Sequence, residues 1–305
     1  MDVLSDVFAT LRLSGTVYFQ ADFCSPWGMD IKGGNVANFH LVVAGECWLR
    51  QAGKSEVVKL QTGDIALFPH GDRHALLHPD NAEILPAERV LNDLQDEQKS
   101  SKNSDKSIDT TLICGHYDYD RSKSHPLLDS LPQLVHLKAS KQSEWMLAAS
   151  KLTVAESQIY EQGSNAVVNR LAETLLVQLV RYLANKNDYR SGFLALLGHP
   201  KISKAIQLIH EKPHHPWRLE DLADACGVSR TVLSDEFSRC VDLAPIQYLT
   251  EWRMHKARDM FVCSQMSVAQ VAEHVGYSSE GAFSSAYKRV FGERPGVVRQ
   301  AKHAH

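Results

Sequence analysis

Hydrophobic residues recur at two different spacings along this chain of 305 residues. Between Gly15 and about Pro79, short apolar runs and alternation of apolar with polar residues predict β-strands separated by turns. Beyond Trp145, apolar residues return every three or four positions, which predicts amphipathic helices. A short helix is expected within residues 1–14. The pattern predicts an α+β chain of two domains, a barrel or jelly roll with C-terminal helices followed by an all-α domain.

Several strands and one loop can be placed within the first region. The apolar run Phe39–Ala44 is expected to end at Gly45, and residues 46–50 and 56–60 flank a glycine-containing turn that predicts a hairpin. A last strand is expected over Leu112–His116. The polar and charged stretch Asn92–Thr111 predicts a solvated loop.

Two helices are predicted between the strands and the C-terminal region. The first, Trp145–Ser157, is weakly amphipathic, whereas the second, Asn165–Leu183, has a wide apolar stripe. That stripe has two interpretations, packing on its own barrel or forming a subunit interface between two copies. The stripe consists of Val168, Leu171, Leu175, Leu176, Leu179, Val180 and Leu183.

Residues 218–291 contain one helix-turn-helix pattern twice. Leu222 and Gly227 of the first copy precede Val271 and Gly276 of the second copy by 49 positions. After the turn, the offset becomes 50. Each glycine lies where the chain turns sharply between two helices and needs a residue that tolerates positive φ. A repeat of this kind predicts two structurally equivalent units.

The two units are predicted to be joined by one long helix. Ser229 and Ser278 are expected to cap the second helix of their units. Pro245 suits the first turn of the joining helix, which should run to about Cys263. Such a helix is roughly 30 Å long, close to the about 34 Å between successive major grooves on one face of DNA. One monomer could therefore place two recognition helices in adjacent grooves.

The region 199–301 resembles the DNA-binding domain of the AraC/XylS family of bacterial transcription regulators. This resemblance implies a transcription factor that is usually dimeric and has a variable N-terminal sensor domain. It depends on Leu222-Ala223, Gly227-Val228-Ser229, Pro245, Tyr248-Leu249, Trp252-Arg253, Val271-Ala272, Gly276-Tyr277, Phe283, Phe291-Gly292 and Pro295.

Polar residues lie opposite the apolar side of both predicted recognition helices. We expect most of them to contact base edges and the basic residues Arg239, Lys288 and Arg289 to contact phosphates. Asp235 and Ser285 stand where the family often has arginine, so base preference should be unusual or affinity modest. The DNA-binding candidates are Arg230, Thr231, Ser234, Asp235, Arg239, Ser279, Glu280, Ser284, Ser285, Lys288 and Arg289.

Residues 63–74 resemble the second cupin motif, since Gly63, Pro69, Gly71 and His74 all match it in register. Together with neighbouring positions, residues 12–185 resemble the cupin-type sensor domain of some AraC-family regulators. The resemblance implies a small-molecule effector. The first cupin motif lacks its metal ligands, because Asn38 stands where metal-binding cupins have glutamate.

Four histidines are candidates for lining the barrel cavity: His40, His74, His78 and His116. They could bind a carboxylate or phenolic effector. His40, His74 and His78 could instead hold a transition metal such as Zn²⁺, although no cofactor is required. The third interpretation is that they are ordinary histidines with hydrogen bonds in a packed barrel.

Composition sets broad limits on the class of protein. The net charge is −3, but residues 200–305 carry 14 lysines and arginines against 12 acidic residues, so DNA binding would depend on local placement of charge. Six cysteines are scattered without a CxxC pair, which is typical of reduced cytoplasmic thiols. Neither a membrane-spanning segment nor a signal peptide is evident.

These patterns predict a cytoplasmic, sequence-specific regulator of transcription. Residues 1–185 would sense a small molecule and dimerise, 186–199 would be a linker, and 200–305 would bind double-stranded DNA; RNA polymerase is a further candidate partner. The alternative from another class is a metal-dependent cupin oxygenase or isomerase fused to a DNA-binding domain. A constitutive DNA-bending protein with a filled barrel is a third interpretation.

Overall fold

A computed structural model describes residues 2–11, 13–99, 107–119, 125–141, 144–159, 161–185 and 192–297. Contacts group the chain into two compact units that are discontinuous in sequence. One, the β unit, comprises 13–119 and 131–181. The other, the helical unit, comprises 1–12, 120–130 and 182–305. The predicted domain boundaries follow the order of the sequence and stay a prediction.

The β unit is a curled sheet of nine strands in the described residues, and the predicted cupin-like fold is confirmed. The strand order is β1-β8-β3-β6-β2-β7, with β4 and β5 also paired to β3, and β9 paired to β5. The strands are β1 (Ser14–Phe23), β2 (Trp27–Ile31), β3 (Ala37–Gln51), β4 (Val57–Gln61), β5 (Ile65–Phe68), β6 (His74–His78), β7 (Leu85–Pro86), β8 (Thr110–Asp118) and β9 (Val135–Leu137).

The long strand β3 organises this sheet. Its first half pairs with β5 and β8, and its second half pairs with β4 and β6. The prediction that Gly45 ends the strand is wrong. Gly45 has φ +77° within the strand, and a Cβ atom there would clash with the carbonyl oxygen of Asp109. Glycine therefore lets β3 continue close to a neighbouring chain segment and serve both halves of the sheet.

The predicted loop over 92–111 is partly wrong, because α2 (Ala87–Lys99) occupies its first part. Ala87, Val90 and Leu94, spaced three or four residues apart, pack against the core of the sheet. The other α2 positions are mostly polar, so the average composition of the segment conceals this narrow apolar stripe. Residues 100–106 lie outside the described ranges.

Two further helices, α4 (Glu144–Ser157) and α5 (Ser164–Asn185), match the predicted pair. The α5 stripe faces its own sheet, where Leu175, Leu176 and Leu179 meet Phe39 and Tyr117. Polar contacts fix the same face of α5. The backbone N–H of Val17 donates to the Asn169 side chain at 2.9 Å, and the Tyr117 hydroxyl donates to the carbonyl of Ala172 at 2.8 Å. Of the two interpretations of this stripe, the structure supports packing on the same chain.

The helical unit contains the predicted repeat. Its helices are α1 (Val3–Leu11), α3 (Pro126–Asp129), α6 (Phe193–Gly198), α7 (Ser203–Glu211), α8 (Leu219–Cys226), α9 (Arg230–Val241), α10 (Pro245–Cys263), α11 (Val268–His274) and α12 (Glu280–Phe291). The joining helix has the predicted bounds. The stretch 186–199, expected to be a linker, contains α6, whose Phe193, Leu194 and Leu196 are buried. Residues 186–191 are outside the described ranges.

A chain of buried polar side chains connects α1 and the residue before α3 to α7 and α10. The Leu127 N–H donates to His125 Nδ1 at 3.1 Å, so a neutral His125 has its proton on Nε2, 3.5 Å from the Tyr248 hydroxyl. Tyr248 in turn donates to His210 Nε2 at 2.7 Å, and His210 Nδ1 donates to the Asp6 carboxylate at 3.1 Å. Burial lowers the pKa of His125 and of His210, which keeps both rings neutral.

Lys256 completes this chain by donating to the other carboxylate oxygen of Asp6. Although burial of Asp6 works in the opposite direction, hydrogen bonds from His210 and Lys256 hold the pKa of this carboxyl below its usual value. Asp6 therefore stays ionised. Its ion pair with Lys256 joins the N-terminal helix to the rest of the helical unit.

Candidate nucleic-acid interface and sensor cavity

The first helix-turn-helix unit is formed by α8 and α9. Gly227 ends α8 with φ 62°, and the Ser229 hydroxyl accepts from the N–H of Val232 at 3.2 Å, which caps α9. Leu233 and Phe237 on the inner face of α9 are fully buried. The local sequence thus fixes both the turn and the side of α9 that remains outside.

The second unit, formed by α11 and α12, repeats this geometry with one difference. Gly276 has φ 85°, and Phe283 and Tyr287 are fully buried. The cap of α12 is Ser279, which accepts from the N–H of Ala282 at 3.4 Å, so the prediction of Ser278 is wrong. The one extra residue of the second copy lies within its turn. The offset between the two copies is therefore already 50 at the cap, where Ser279 corresponds to Ser229.

The predicted DNA-contacting residues occupy the outer faces of α9 and α12. All are exposed except Ser234 and Ser284, which are half-buried. Ser279 has a second role, since its hydroxyl is engaged as the cap. Arg230 pairs with Glu220 at 2.7 Å and Arg239 pairs with Glu236 at 2.6 Å, both at the surface. Exposed pairs of this kind contribute little stability, so both arginines can exchange their partner for a phosphate at small cost.

In the β unit, the side chains of His74, His40 and Cys114 are joined by hydrogen bonds. The two histidines are predicted site residues, and the cysteine is not. His74 Nδ1 lies 2.8 Å from the carbonyl of Asp72, which can only accept, so this nitrogen carries the proton. His74 Nε2 then accepts from His40 Nε2 at 2.7 Å. His40 Nδ1, as the remaining acceptor, receives the Cys114 thiol proton at 3.0 Å.

The electrostatics of this chain agree with its geometry. Burial lowers the pKa of His74 to about 4, and burial together with the neighbouring His74 holds the pKa of His40 well below its usual value. Burial raises the pKa of the Cys114 thiol well above its usual value. All three groups are therefore neutral at pH 7, and the hydrogen-bond partners decide the tautomer of each ring.

A cavity of about 450 Å³ lies between the sheet and α2. His40 lines it, whereas His74 lies behind His40, stacked on Phe68 with ring centroids 3.6 Å apart. His78 and His116 are not among the described residues that line this cavity, and their role in ligand binding stays a prediction. His78 contacts Ser25 and Trp48, and His116 binds Asp118 at 2.6 Å. His78 lies about 13 Å along β6 from His74, which carries it out of the region around His40.

The cavity walls were largely missed by sequence reasoning. They include Phe19, Met29, Ile31 and Asn38 from the strands and Leu91 and Leu94 from α2. Alternation along β3 places Asn38 on the same face as His40, which was the available signal. The apolar residues of α2 are a weaker signal, because most of the neighbouring positions are polar.

Known proteins resemble both parts of the chain. Residues 2–185 match a cupin family and residues 222–301 match a helix-turn-helix domain. The transcriptional regulator AlkR of Acinetobacter baylyi is 29% identical over 310 residues, covering 98% of this chain and 99% of AlkR. A putative AraC-like transcription regulator of Streptomyces antibioticus is 30% identical over 305 residues, covering 98% of this chain and 99% of the relative. The chain belongs to the AraC family of transcriptional regulators. Another putative AraC-like regulator, from Streptomyces lividans, is 29% identical, covering 98% of each chain.

Family membership identifies the class of partner for the outer faces of α9 and α12. AraC-type helix-turn-helix domains bind DNA, so double-stranded DNA is a partner of this AraC-family protein. The named relatives point to a regulator rather than to the metal-dependent cupin enzyme. In the described ranges, no helix combines the length and apolar character needed to cross a bilayer.

The candidate metal ligands of this AraC-family protein are hydrogen-bonded to other protein groups. Within the part of the chain that the structure describes, no three His, Cys, Asp or Glu side chains are arranged to hold a metal ion. His40 Nε2 and His74 Nε2 lie 2.7 Å apart, and the Cys114 thiol bonds to the other ring nitrogen of His40.

Proposed function

We propose that this protein is a cytoplasmic, effector-responsive regulator that contacts DNA through both helix-turn-helix units. The carrying observation is that α9 and α12 present exposed polar faces in two units that the single helix α10 joins. That helix, α10, has 19 residues and is about 28 Å long. Its length is comparable with the about 34 Å between successive major grooves.

The contacts on each helix follow from exposure and charge. Arg239, Lys288 and Arg289 carry positive charge near the ends of α9 and α12 and would bind phosphates. The exposed polar residues closer to the starts of the helices would contact base edges. Asp235 could accept a hydrogen bond from a cytosine amino group but cannot bind a phosphate.

The small-molecule effector would occupy the cavity beneath α2. A cavity of about 450 Å³ is within the usual range for small-molecule sites. Its presence disfavours a filled barrel without a ligand. Effector binding would alter DNA occupancy by favouring one arrangement of the chain over another, and RNA polymerase would respond to the bound regulator.

A homodimer is proposed through α4 rather than through the covered stripe of α5. Trp145, Ala148, Leu152 and Ala155 follow each other at spacings of three and four residues, and all are exposed. Trp145 and Leu152 are 49% and 58% exposed. An exposed apolar seam with this spacing is typical of helices that pair with a second helix.

The DNA-binding proposal is tested by selecting fragments of the protein's own genome with purified full-length protein at about physiological salt, because phosphate contacts depend strongly on salt. We expect a few discrete sites, each with two contacted grooves about one helical turn apart. Arg230→Ala and Arg289→Ala should each weaken selection. Arg181→Ala, an exposed arginine of α5, is the matched control and should not.

No enrichment in the wild type has two explanations, which the variant Asp235→Arg with Ser285→Arg separates. If these arginines restore enrichment, the recognition faces are correct and native affinity is low. If enrichment is absent for both proteins, the first explanation holds, that DNA binding requires the effector, rather than the second, that Asp235 and Ser285 have cost the protein its affinity for DNA.

A further inference from the structure

Asn38 is a buried polar residue at the cavity with an unused hydrogen-bonding group. It lies on β3, is 6% exposed, and lines the cavity. Its side-chain amide has no hydrogen-bond partner among the residues that the structure describes. The side-chain atoms of Asn38 are not among the fully buried polar atoms that lack a partner, so its amide reaches the cavity space, where a ligand group can replace water as its hydrogen-bond partner.

Other polar groups around the cavity are already engaged or lie at its edge. The Cys114 thiol donates to His40, and the second nitrogen of His40 donates to His74. The side-chain oxygen of Gln20 accepts from the Ser157 hydroxyl, and Gln20 is only half-buried, so water reaches its side-chain NH2 group. Tyr18 is 54% exposed, so water reaches it. Asn38 therefore offers the buried polar contact that a ligand can complete.

The charge of the lining excludes strongly charged ligands. Among the residues that the structure describes, the lining side chains are uncharged, and the apolar ones form most of the wall: Phe19, Ala21, Met29, Ile31, Ala87, Leu91 and Leu94. A carboxylate or an ammonium group would lose its water without meeting an opposite charge. Histidine does not change this, since burial holds the pKa of His40 well below its usual value.

We propose that the cavity binds a neutral, largely apolar molecule whose single carbonyl or hydroxyl group hydrogen-bonds to Asn38. This inference rests on the proposed sensing function and specifies the chemical class of the effector. It departs from the sequence expectation, which allowed a carboxylate.

Two matched sets of probes test the class by isothermal titration calorimetry with full-length protein. One set is 1-octanol, octanoate and octylamine, and the other is 3-phenyl-1-propanol, 3-phenylpropanoate and 3-phenylpropylamine. At least one alcohol should bind, about tenfold or more tighter than the charged members of its set. Asn38→Leu should weaken alcohol binding about tenfold, the loss expected for one neutral hydrogen bond.

Asn92→Leu, an exposed asparagine on α2, is the matched control and should leave alcohol affinity unchanged. If leucine at position 38 prevents folding, Asn38→Ala removes the same amide without adding bulk. The inference is overturned if no alcohol binds, if a charged probe binds as tightly as its alcohol, or if loss of the Asn38 amide has no effect. Genomic selection with the same protein separates failure of the ligand class from failure of the proposed function. If DNA sites are enriched while any of these results is obtained, only the ligand class is refuted.

Discussion

Lowering the pH from 7.5 to 5.5 should destabilise the β unit, because His40 and His74 are buried as neutral rings. Burial lowers the pKa of His74 to about 4, whereas an unfolded histidine has a pKa of about 6.5. Between these values the unfolded state binds more protons than the folded state. Stability is therefore complete above about pH 6.5 and is lost as the pH falls toward 4.

The magnitude follows from the two pKa values. At pH 5.5 the unfolded ring is protonated about ten to one and the folded ring hardly at all, which lowers the free energy of unfolding by about 1.3 kcal/mol relative to pH 7.5. Burial also depresses the pKa of His40, which adds to the loss in the same direction. For a unit of this size, the loss from His74 alone corresponds to a fall in Tm of roughly 3–5 °C.

Urea unfolding at both pH values measures the loss, and hydrogen exchange of β3 peptides assigns it to the β unit. The assignment is needed because burial also depresses the pKa of His125 and His210 in the helical unit. His74→Gln keeps a donor near the Asp72 carbonyl and should remove the share of the pH-dependent loss that comes from His74, about 1.3 kcal/mol. His214→Gln, an exposed histidine, is the control. Equal pH dependence in wild type and His74→Gln would refute the buried neutral ring.

Three further outcomes are expected. Asp6→Asn should lower the stability of the helical unit in urea by about 3 kcal/mol, because it breaks a buried charge pair and leaves Lys256 unpaired. Asp235→Arg with Ser285→Arg should raise DNA affinity and steepen its dependence on salt by about two phosphate contacts, as measured by titration at several salt concentrations. Leu152→Glu should dissociate the proposed dimer in sedimentation, because it places a charge in the apolar seam of α4.

Matched variants give these outcomes their controls. Asp2→Asn changes an exposed acidic residue, and Lys151→Glu changes the charge of α4 outside the apolar seam. A stability loss as large for Asp2→Asn as for Asp6→Asn would contradict the role of the buried pair. A monomeric wild type, or a dimer that survives Leu152→Glu, would contradict the α4 interface. An unchanged salt dependence of the double arginine variant would place α9 and α12 away from the phosphates.

The helix-turn-helix units could be predicted in detail because their determinants are local. A glycine at the turn, a serine cap and inward residues four positions apart each act within one or two helical turns, and all are visible in the sequence. The error at Ser278 has the same origin. Two adjacent serines can both cap, and only the backbone at 276–279 shows which of them does.

The cavity was less predictable because it depends on contacts between distant residues. His40 and His74 meet through the pairing of β3 with its neighbours, and Cys114 joins them because β8 pairs with β3 at that position. The sequence indicated that His40 and Asn38 share a face but not that His40 would be fully engaged. The half-buried residues of α2 were concealed by their polar neighbours.

The N-terminal helix shows why a boundary in the sequence need not be a boundary in the structure. α1 lies within the residues that match the cupin family, yet its Asp6 is paired with His210 and Lys256 of the helical unit. Each hydrogen bond in the chain from His125 to Asp6 has a defined donor, so losing either end leaves a buried group without its partner. The stability of the two helix-turn-helix units therefore depends on segments that precede them by more than 70 residues in the sequence. Local hydrophobic periodicity does not predict that dependence.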